Sequence, residues 1–143
     1  MRAALDEAST ASAAEDVPVG AVVLSPSGEI IARAANRREQ ARDPLGHAEL
    51  VAIGRASQAL GTWRLDGCTL VVTLEPCTMC AGAVAQTRLQ RLVFGAFDPK
   101  AGAVSSVFDV LRDPRLPHRP EVVSGVMADE CESILRQFFE QHR

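Results

Sequence analysis

Two short polar motifs carry the residues best suited to chemistry. His47-Ala48-Glu49 begins one Ala-rich segment, and Cys77-Thr78-Met79-Cys80 begins another, thirty positions after the histidine. A cysteine at a helix N-terminus meets the positive end of the helix dipole, which favours the thiolate that a metal needs. One imidazole and two thiolates suit Zn²⁺, and three protein ligands leave a fourth tetrahedral position open for water. We therefore predict one catalytic zinc ion held by His47, Cys77 and Cys80.

Glu49 lies two positions from the predicted ligand His47. Zn²⁺ can lower the pKa of a bound water to about 7. A carboxylate that is not itself a ligand can then carry a proton from that water to the substrate. We predict Glu49 to be this catalytic proton shuttle, and hence a hydrolytic enzyme.

The Cys-x-x-Cys pair has two other interpretations, a thioredoxin-like redox pair and half of a closed structural zinc site. A redox pair is not expected to accompany an upstream His-x-Glu motif, and a closed site needs a fourth protein ligand. Four residues remain for that role: Cys68, Cys131, His118 and His142. The two cysteines lie in apolar surroundings, where a cysteine usually packs as a small hydrophobe, and we expect the two histidines to be solvated. An open site is therefore favoured.

Apolar runs and helical spacing indicate the elements that must position these motifs. Strands are predicted at 20–24, 29–34, 69–73, 92–96 and 122–126, and helices at 47–60, 77–88 and 128–141. Ser25-Pro26-Ser27-Gly28 joins the first two strands as a hairpin. Strand and helix alternate afterwards, which predicts an α/β layer fold with the last helix packed on the sheet. The Ala-rich opening segment has only Leu5 as a large apolar residue, so we expect its helix to bury little surface and to be the weakest element.

The chain length of 143 residues predicts a single domain over 1–143. No segment has the roughly 18 consecutive apolar residues of a membrane span, and the first residues lack the apolar region of a signal peptide, so we expect a cytoplasmic protein without membrane contact. Four cysteines are too few for a disulfide scaffold.

The charge balance argues mildly against a polyanionic partner, because the formal net charge is −3 and the pI is about 5.6. The basic residues are nevertheless almost all arginine, with two local groups: Arg33, Arg37, Arg38 and Arg42, then Arg112, Arg115 and Arg119. Arginine can fork onto phosphates and stack on bases, but arginine-rich surface loops also arise from coding bias. Both interpretations stay open.

Together these residues resemble the zinc deaminase signature of the cytidine/deoxycytidylate deaminase superfamily. Nearly the whole chain is similar to the bacterial tRNA-specific adenosine deaminases. The resemblance rests on Glu15-Asp16-Val17-Pro18-Val19-Gly20-Ala21-Val22, Asn36-Arg37, Asp43-Pro44, Trp63-Arg64-Leu65, Thr73-Leu74-Glu75-Pro76-Cys77, Cys80-Ala81-Gly82-Ala83, Phe94-Gly95-Ala96 with Asp98, Lys100-Ala101-Gly102-Ala103, Asp109-Val110-Leu111 and Ala128-Asp129-Glu130-Cys131.

This resemblance implies a three-layer α/β/α fold with a five-stranded mixed sheet, a homodimer, and one Zn²⁺ per subunit. It implies deamination of the wobble adenosine of a tRNA anticodon stem-loop to inosine. Asn36 is expected to hold the flipped adenosine, Ala48 to offer backbone contact to the base, and Asp98 to lie where the anticodon loop crosses the site. Phe139, at the end of the last helix, is expected to offer the RNA an aromatic surface.

Three positions depart from the family pattern. Gly46 stands where an alanine is expected and should add backbone freedom, Phe97 where a basic residue is common, and Pro117 where an asparagine is expected. The last two weaken the case for strong phosphate binding. Two other functions therefore stay open: a deaminase of a free base of the guanine or cytosine type, and a zinc-stabilised RNA-binding or partner subunit.

Overall fold

The computed structural model describes residues 1–143 as one five-stranded sheet with four helices. The elements are α1 (Arg2–Ala13), β1 (Gly20–Leu24), β2 (Ile30–Ala35), α2 (Ala48–Leu60), β3 (Thr69–Leu74), α3 (Thr78–Gln86), β4 (Arg91–Ala96), β5 (Glu121–Val123) and α4 (Ala128–Gln141). The strand order is β2-β1-β3-β4-β5. Strand β1 pairs antiparallel with β2 and β3, whereas β3–β4 and β4–β5 are parallel, so the sheet is mixed.

Alternating side chains of the strands divide the core into two layers. Leu70 and Val72 of β3 face the same side as α2 and α3 and join the main apolar cluster there. Val71 and Val22 point to the opposite face and pack with Ala4 of α1. Helices α1 and α4 cover that opposite face, with α4 against β4. The predicted three-layer α/β/α fold, the hairpin and the packing of α4 on the sheet are confirmed.

Helix α1 packs more closely on the sheet than expected. Ala4, Ala8 and Ala11 are buried along one face of the helix. A Cβ atom added to Gly20 of β1 would overlap the Ala4 carbonyl oxygen and lie 2.5 Å from the Ala8 nitrogen. The expectation that α1 buries little was wrong, because small side chains let the helix backbone itself approach the strand.

Element bounds differ from the predictions mainly at the ends. Strand β5 stops at Val123 instead of 126, although the Val126 amide still donates to the Phe94 carbonyl oxygen at 3.1 Å. Helix α3 ends at Gln86, two residues early, and is followed by Arg88 with a positive φ of 64°. None of the four helices combines the length and the apolar composition needed to cross a lipid bilayer.

Candidate metal centre and active site

Two helix starts bring the predicted ligands together. His47 is the N-cap of α2 and Cys77 the N-cap of α3, each in extended conformation, and Cys80 lies buried in the first turn of α3. Their carbonyl oxygens accept the first helical hydrogen bonds, from Val51 at 3.1 Å and Ala81 at 2.8 Å. Since α2 and α3 are neighbours on one face of the sheet, the N-termini of the two helices lie close together.

The distances between the three side chains fit a metal. His47 Nδ1 lies 3.7 Å from Cys77 Sγ and 3.5 Å from Cys80 Sγ, and all three donor atoms lie within 4.8 Å of one another. Tetrahedral zinc with ordinary Zn–N and Zn–S bond lengths would separate a nitrogen and a sulfur ligand by about 3.6 Å. This His/Cys/Cys group can therefore hold a metal ion.

Electrostatics at the group favour a cation. A hydrogen bond from the Cys80 thiol, followed by one from His47, lowers the pKa of Cys77 to about 3. The same hydrogen bond to Cys77 and burial raise the pKa of Cys80, and the hydrogen bond with Cys77 raises the pKa of His47. The Cys77 sulfur is thus the one that ionises, and the Cys80 sulfur keeps its proton. A divalent cation in its place would stabilise both thiolates at once.

Glu49 lies beside this group as a buried carboxyl that is not part of it. Its residue is only 4% exposed, and burial raises the pKa of its side chain, opposed by its backbone amide and by the His47 charge. A raised pKa makes this carboxylate a stronger base than an ordinary surface glutamate, which favours its acceptance of a proton. Its position suits proton transfer.

A cavity of about 170 Å³ opens above these residues. It is lined by six residues predicted to act at the site: Asn36, His47, Ala48, Glu49, Cys77 and Asp98, the last from the loop after β4. Sequence reasoning gave no role to five other lining residues, Val17, Val19, Leu74, Glu75 and Ala101, and placed the sixth, Arg38, in an arginine group able to contact phosphates. For Glu75 a signal was present, since an acidic residue directly before Pro76-Cys77 lies at the carboxyl end of a central strand.

Asn36 has a defined orientation at the cavity wall. Its Nδ2 donates to the Val17 carbonyl oxygen at 3.1 Å, and its Oδ1 accepts from the Arg38 amide at 3.2 Å. These partners distinguish the amide nitrogen from the oxygen. One N–H and one lone pair remain free for a ligand. Both are what the edge of a purine base can pair with.

Asp98 lies at the cavity wall in a tight turn. Its Oδ1 accepts from the backbone amides of Lys100 at 3.0 Å and Ala101 at 3.2 Å, and its carbonyl oxygen accepts from Gly102 at 2.9 Å. Phe139 is not part of this cavity. It lies on α4, is 52% exposed, and packs edge-on against Phe138 at 5.5 Å.

The positions that depart from the family pattern have clear surroundings. Gly46 is buried, and its carbonyl oxygen accepts from Arg37 at 3.0 Å; a Cβ atom there would lie 3.1 Å from the Asp43 carbonyl oxygen. Gly46 therefore permits close packing, and the gain in backbone freedom stays a prediction. Phe97 packs edge-on against Phe94 at 5.2 Å, and Pro117 is exposed.

The spare cysteines and histidines lie away from the metal group. Cys68 and Cys131 are fully buried, which confirms their predicted core packing. His118 is half-buried with Nε2 at 2.6 Å from the Leu89 carbonyl oxygen, so the expectation that it is solvated was wrong. His142 is exposed and stacks on Phe138. None of the four joins His47, Cys77 and Cys80 as a ligand.

Comparisons with known proteins agree with this geometry. A family model of MafB19-like deaminases matches residues 1–143. The tRNA-specific adenosine deaminase of Bacillus subtilis (strain 168) is 50% identical over 143 residues, which cover 100% of this chain and 88% of the relative. The chain belongs to the tRNA-specific adenosine deaminase family. This deaminase also superposes with a TM-score of 0.91 on a solved structure from a study of A-to-I editing by tRNA:A34 deaminases at the wobble position of transfer RNA. That structure is 46% identical, and the match covers 94% of this chain and 97% of the other.

The deaminase shares its fold with guanine deaminases as well. The guanine deaminase from Nitrosomonas europaea superposes with a TM-score of 0.76 at 28% identity, over 94% of this chain and 80% of the other. The lower identity and TM-score separate this neighbour from the adenosine deaminases. The fold alone therefore does not distinguish the two kinds of deaminase.

Proposed function

We propose that this enzyme hydrolyses the wobble adenosine of a tRNA anticodon to inosine and ammonia. The observation that carries the proposal is the His/Cys/Cys group beside a buried, non-ligating glutamate, at the base of a cavity in a chain 50% identical to a tRNA-specific adenosine deaminase. The proposed cofactor is one Zn²⁺ per subunit, held by His47, Cys77 and Cys80. Bound there, Zn²⁺ would supply an activated water.

In this proposal Glu49 is the catalytic proton shuttle. It takes one proton from the attacking water and delivers it to the ring nitrogen beside C6, then takes the remaining hydroxyl proton and delivers it to the departing amine. One water is consumed and one ammonia released. Asn36 holds the base edge through its free N–H and lone pair, and the buried Ala48 backbone contacts the base.

The target base has to leave its stack to reach the metal group. His47 and Cys77 line a cavity whose walls also include residues of the segments 17–19, 36–38 and 98–101. Asp98 is proposed to lie where the anticodon loop crosses; Arg37 and Arg42 are exposed in the loop after β2, whereas the exposed Arg38 pairs with Glu39. Arg112 and Arg115 pair with Asp109 and Asp113, so they are less suited to phosphate contact. Phe139 is proposed as a more distant stacking surface for RNA.

The proposal includes a homodimer and a cytoplasmic location. Support for the dimer comes from the family resemblance and from apolar side chains that a monomer leaves in water, among them Leu45, Val107 and Phe108. A cytoplasmic location follows from a tRNA substrate. Light scattering on the purified zinc-loaded protein tests the dimer, and a monomeric mass at micromolar concentration would contradict it.

The decisive experiment measures inosine in an adenosine-bearing anticodon stem-loop incubated with the zinc-loaded protein. Free guanine, cytosine and adenosine are run alongside for ammonia release. Inosine in the stem-loop alone supports the proposal, and its rate should fall steeply with salt at subsaturating RNA. Ammonia from a free base with an unchanged stem-loop would keep the chemistry and overturn the substrate, in line with the guanine deaminase neighbours.

A further inference from the structure

Two buried carboxylates outside the metal group take no part in the proposed chemistry. Asp16 is fully buried and Glu75 is 2% exposed. Neither forms an ion pair with a lysine or arginine. Carboxylates are costly to bury without partners, so their hydrogen bonds indicate what they are for. In both cases the donors are consecutive backbone amides of a loop that forms a wall of the cavity.

Asp16 holds the loop that carries Asn36 and Arg38. Its Oδ1 accepts from the Glu39 amide at 2.8 Å and its Oδ2 from the Gln40 amide at 3.1 Å. Its own amide donates to the Ala11 carbonyl oxygen at 3.0 Å, which ties it to the end of α1. The next residue, Val17, lines the cavity and accepts the Asn36 side-chain amide. Asp16 is thereby hydrogen-bonded to the loop that carries Asn36 and is adjacent to Val17, the residue that accepts the Asn36 side-chain amide.

Glu75 holds a second loop at the cavity, which carries Asp98 and Ala101. Its Oε2 accepts from the amides of Val104, Ser105 and Ser106 at 3.4, 3.4 and 3.1 Å, and its Oε1 accepts from the Ser106 hydroxyl at 2.5 Å. Four donors match the roughly four lone-pair sites of a carboxylate. Three of them converge on Oε2 and one reaches Oε1, so the loop takes up most of the acceptor capacity of Glu75.

Gly102 shows how closely this loop approaches Glu75. A Cβ atom at Gly102 would overlap Glu75 Oε2 and would lie 2.6 Å from the Asp98 carbonyl oxygen. The loop can come this close only because residue 102 has no side chain. The loop amides and the Glu75 carboxylate are thus in direct contact, next to the turn formed by Asp98.

We propose that Asp16 and Glu75 are positioning residues that hold the two walls of the substrate cavity at the separation that a flipped base requires. The inference rests on the proposed function for the identity of the substrate. A loop displaced by about 1 Å can cost on the order of a hundredfold in rate, because the base is then misaligned with the attacking group. The two carboxylates act through Asn36 and Asp98, not on the reacting atoms.

The variants differ in how much hydrogen bonding they keep. Asp16→Asn puts a donor where an acceptor was, so either the Glu39 or the Gln40 amide loses its partner. Glu75→Leu removes all four acceptors. Glu75→Gln keeps the pattern, since its carbonyl oxygen can take the three amides while its NH₂ donates to the Ser106 hydroxyl oxygen. Asp66→Asn is the matched control, because that carboxylate is exposed, pairs with Arg64, and does not line the cavity.

The experiment measures kcat/KM on the stem-loop, zinc per chain, and exchange of individual backbone amides. Asp16→Asn and Glu75→Leu should lower kcat/KM by about tenfold to a hundredfold with one zinc per chain retained. Amide exchange should accelerate at Glu39 and Gln40 in the first and at Val104 to Ser106 in the second. Glu75→Gln should recover most of the rate, and Asp66→Asn should match the wild type.

Wild-type kcat/KM in Asp16→Asn or Glu75→Leu, or zinc lost in parallel with the rate, would overturn the positioning role. Should Glu75→Leu fail to fold, Ser106→Ala removes the hydroxyl donor alone and has to lower kcat/KM severalfold. If the wild type releases ammonia only from a free base, the proposed function fails, and the same variants assayed on that base test the positioning role separately.

Discussion

The Nδ1 atom of His47 lies 3.5 Å from the Sγ atom of Cys80, although the two residues are separated by 33 positions in the chain. The distance depends on two helices that both begin at one face of the sheet. A metal bound between them links the start of α2 to the start of α3. Metal binding should therefore stabilise the fold as well as enable the reaction.

Cys80→Ser is expected to lose zinc, activity and the stabilisation that zinc provides. A serine hydroxyl is a poor substitute for a thiolate ligand. A chelator should lower the Tm of the wild type but leave that of Cys80→Ser unchanged; bound zinc is worth about 4 kcal/mol when free zinc exceeds its Kd a thousandfold. Cys131→Ala, which changes a buried cysteine outside the group, should keep the chelator response. A normal zinc content in Cys80→Ser would contradict the ligand assignment.

Glu49→Gln is expected to keep zinc and lose turnover. The amide matches the carboxyl in shape but cannot shuttle a proton, so kcat should fall by roughly a hundredfold to ten-thousandfold. Steady-state rates and metal analysis on the same preparation check this. The matched control is Glu132→Gln, an exposed residue of α4 that should keep the wild-type rate. Full activity in zinc-loaded Glu49→Gln would rule out the shuttle.

Two glycine substitutions should change stability in opposite directions. Gly20→Ala places a methyl group against the backbone of α1 and should destabilise the fold by roughly 1–3 kcal/mol. Gly54→Ala lies at an exposed position within α2 with open space around it, and should stabilise by about 0.5–1 kcal/mol. Urea titrations give both values from the midpoint at constant m. Equal effects would mean that α1 is not docked as described.

Cys131 should resist alkylation in the native protein. Burial raises its pKa to about 11, so the thiol stays protonated at pH 8. Because the native pKa lies above that of the unfolded thiol, this group's contribution to stability is complete below about pH 8.5 and is lost as the pH rises toward 11. Mass spectrometry after iodoacetamide treatment should find Cys131 labelled only with added denaturant. Labelling faster than unfolding would show that the thiol is accessible.

Local spacing was enough to predict the elements and the ligand types. Cys77 and Cys80 lie within one helical turn at the start of α3, and His47 and Glu49 lie at the start of α2. A short stretch of sequence was therefore enough to interpret each pair. The α1 packing could not be predicted in this way. Counting large apolar residues missed this packing. Ala4, Ala8 and Ala11 have small side chains, and the α1 backbone contacts Gly20 directly, so the packing depends on close approach and not on large side chains.

The sequence by itself determined which residues can bind a metal and move a proton, since those properties belong to residue types within one helical turn. Only the tertiary structure decided that His47 meets the two cysteines, how Asn36 is oriented, and that Asp16 and Glu75 hold the cavity walls. Those relationships join segments 19 to 33 positions apart. Their distances are set by strand register and by close packing of the helices on the sheet, and no local pattern in the chain encodes them.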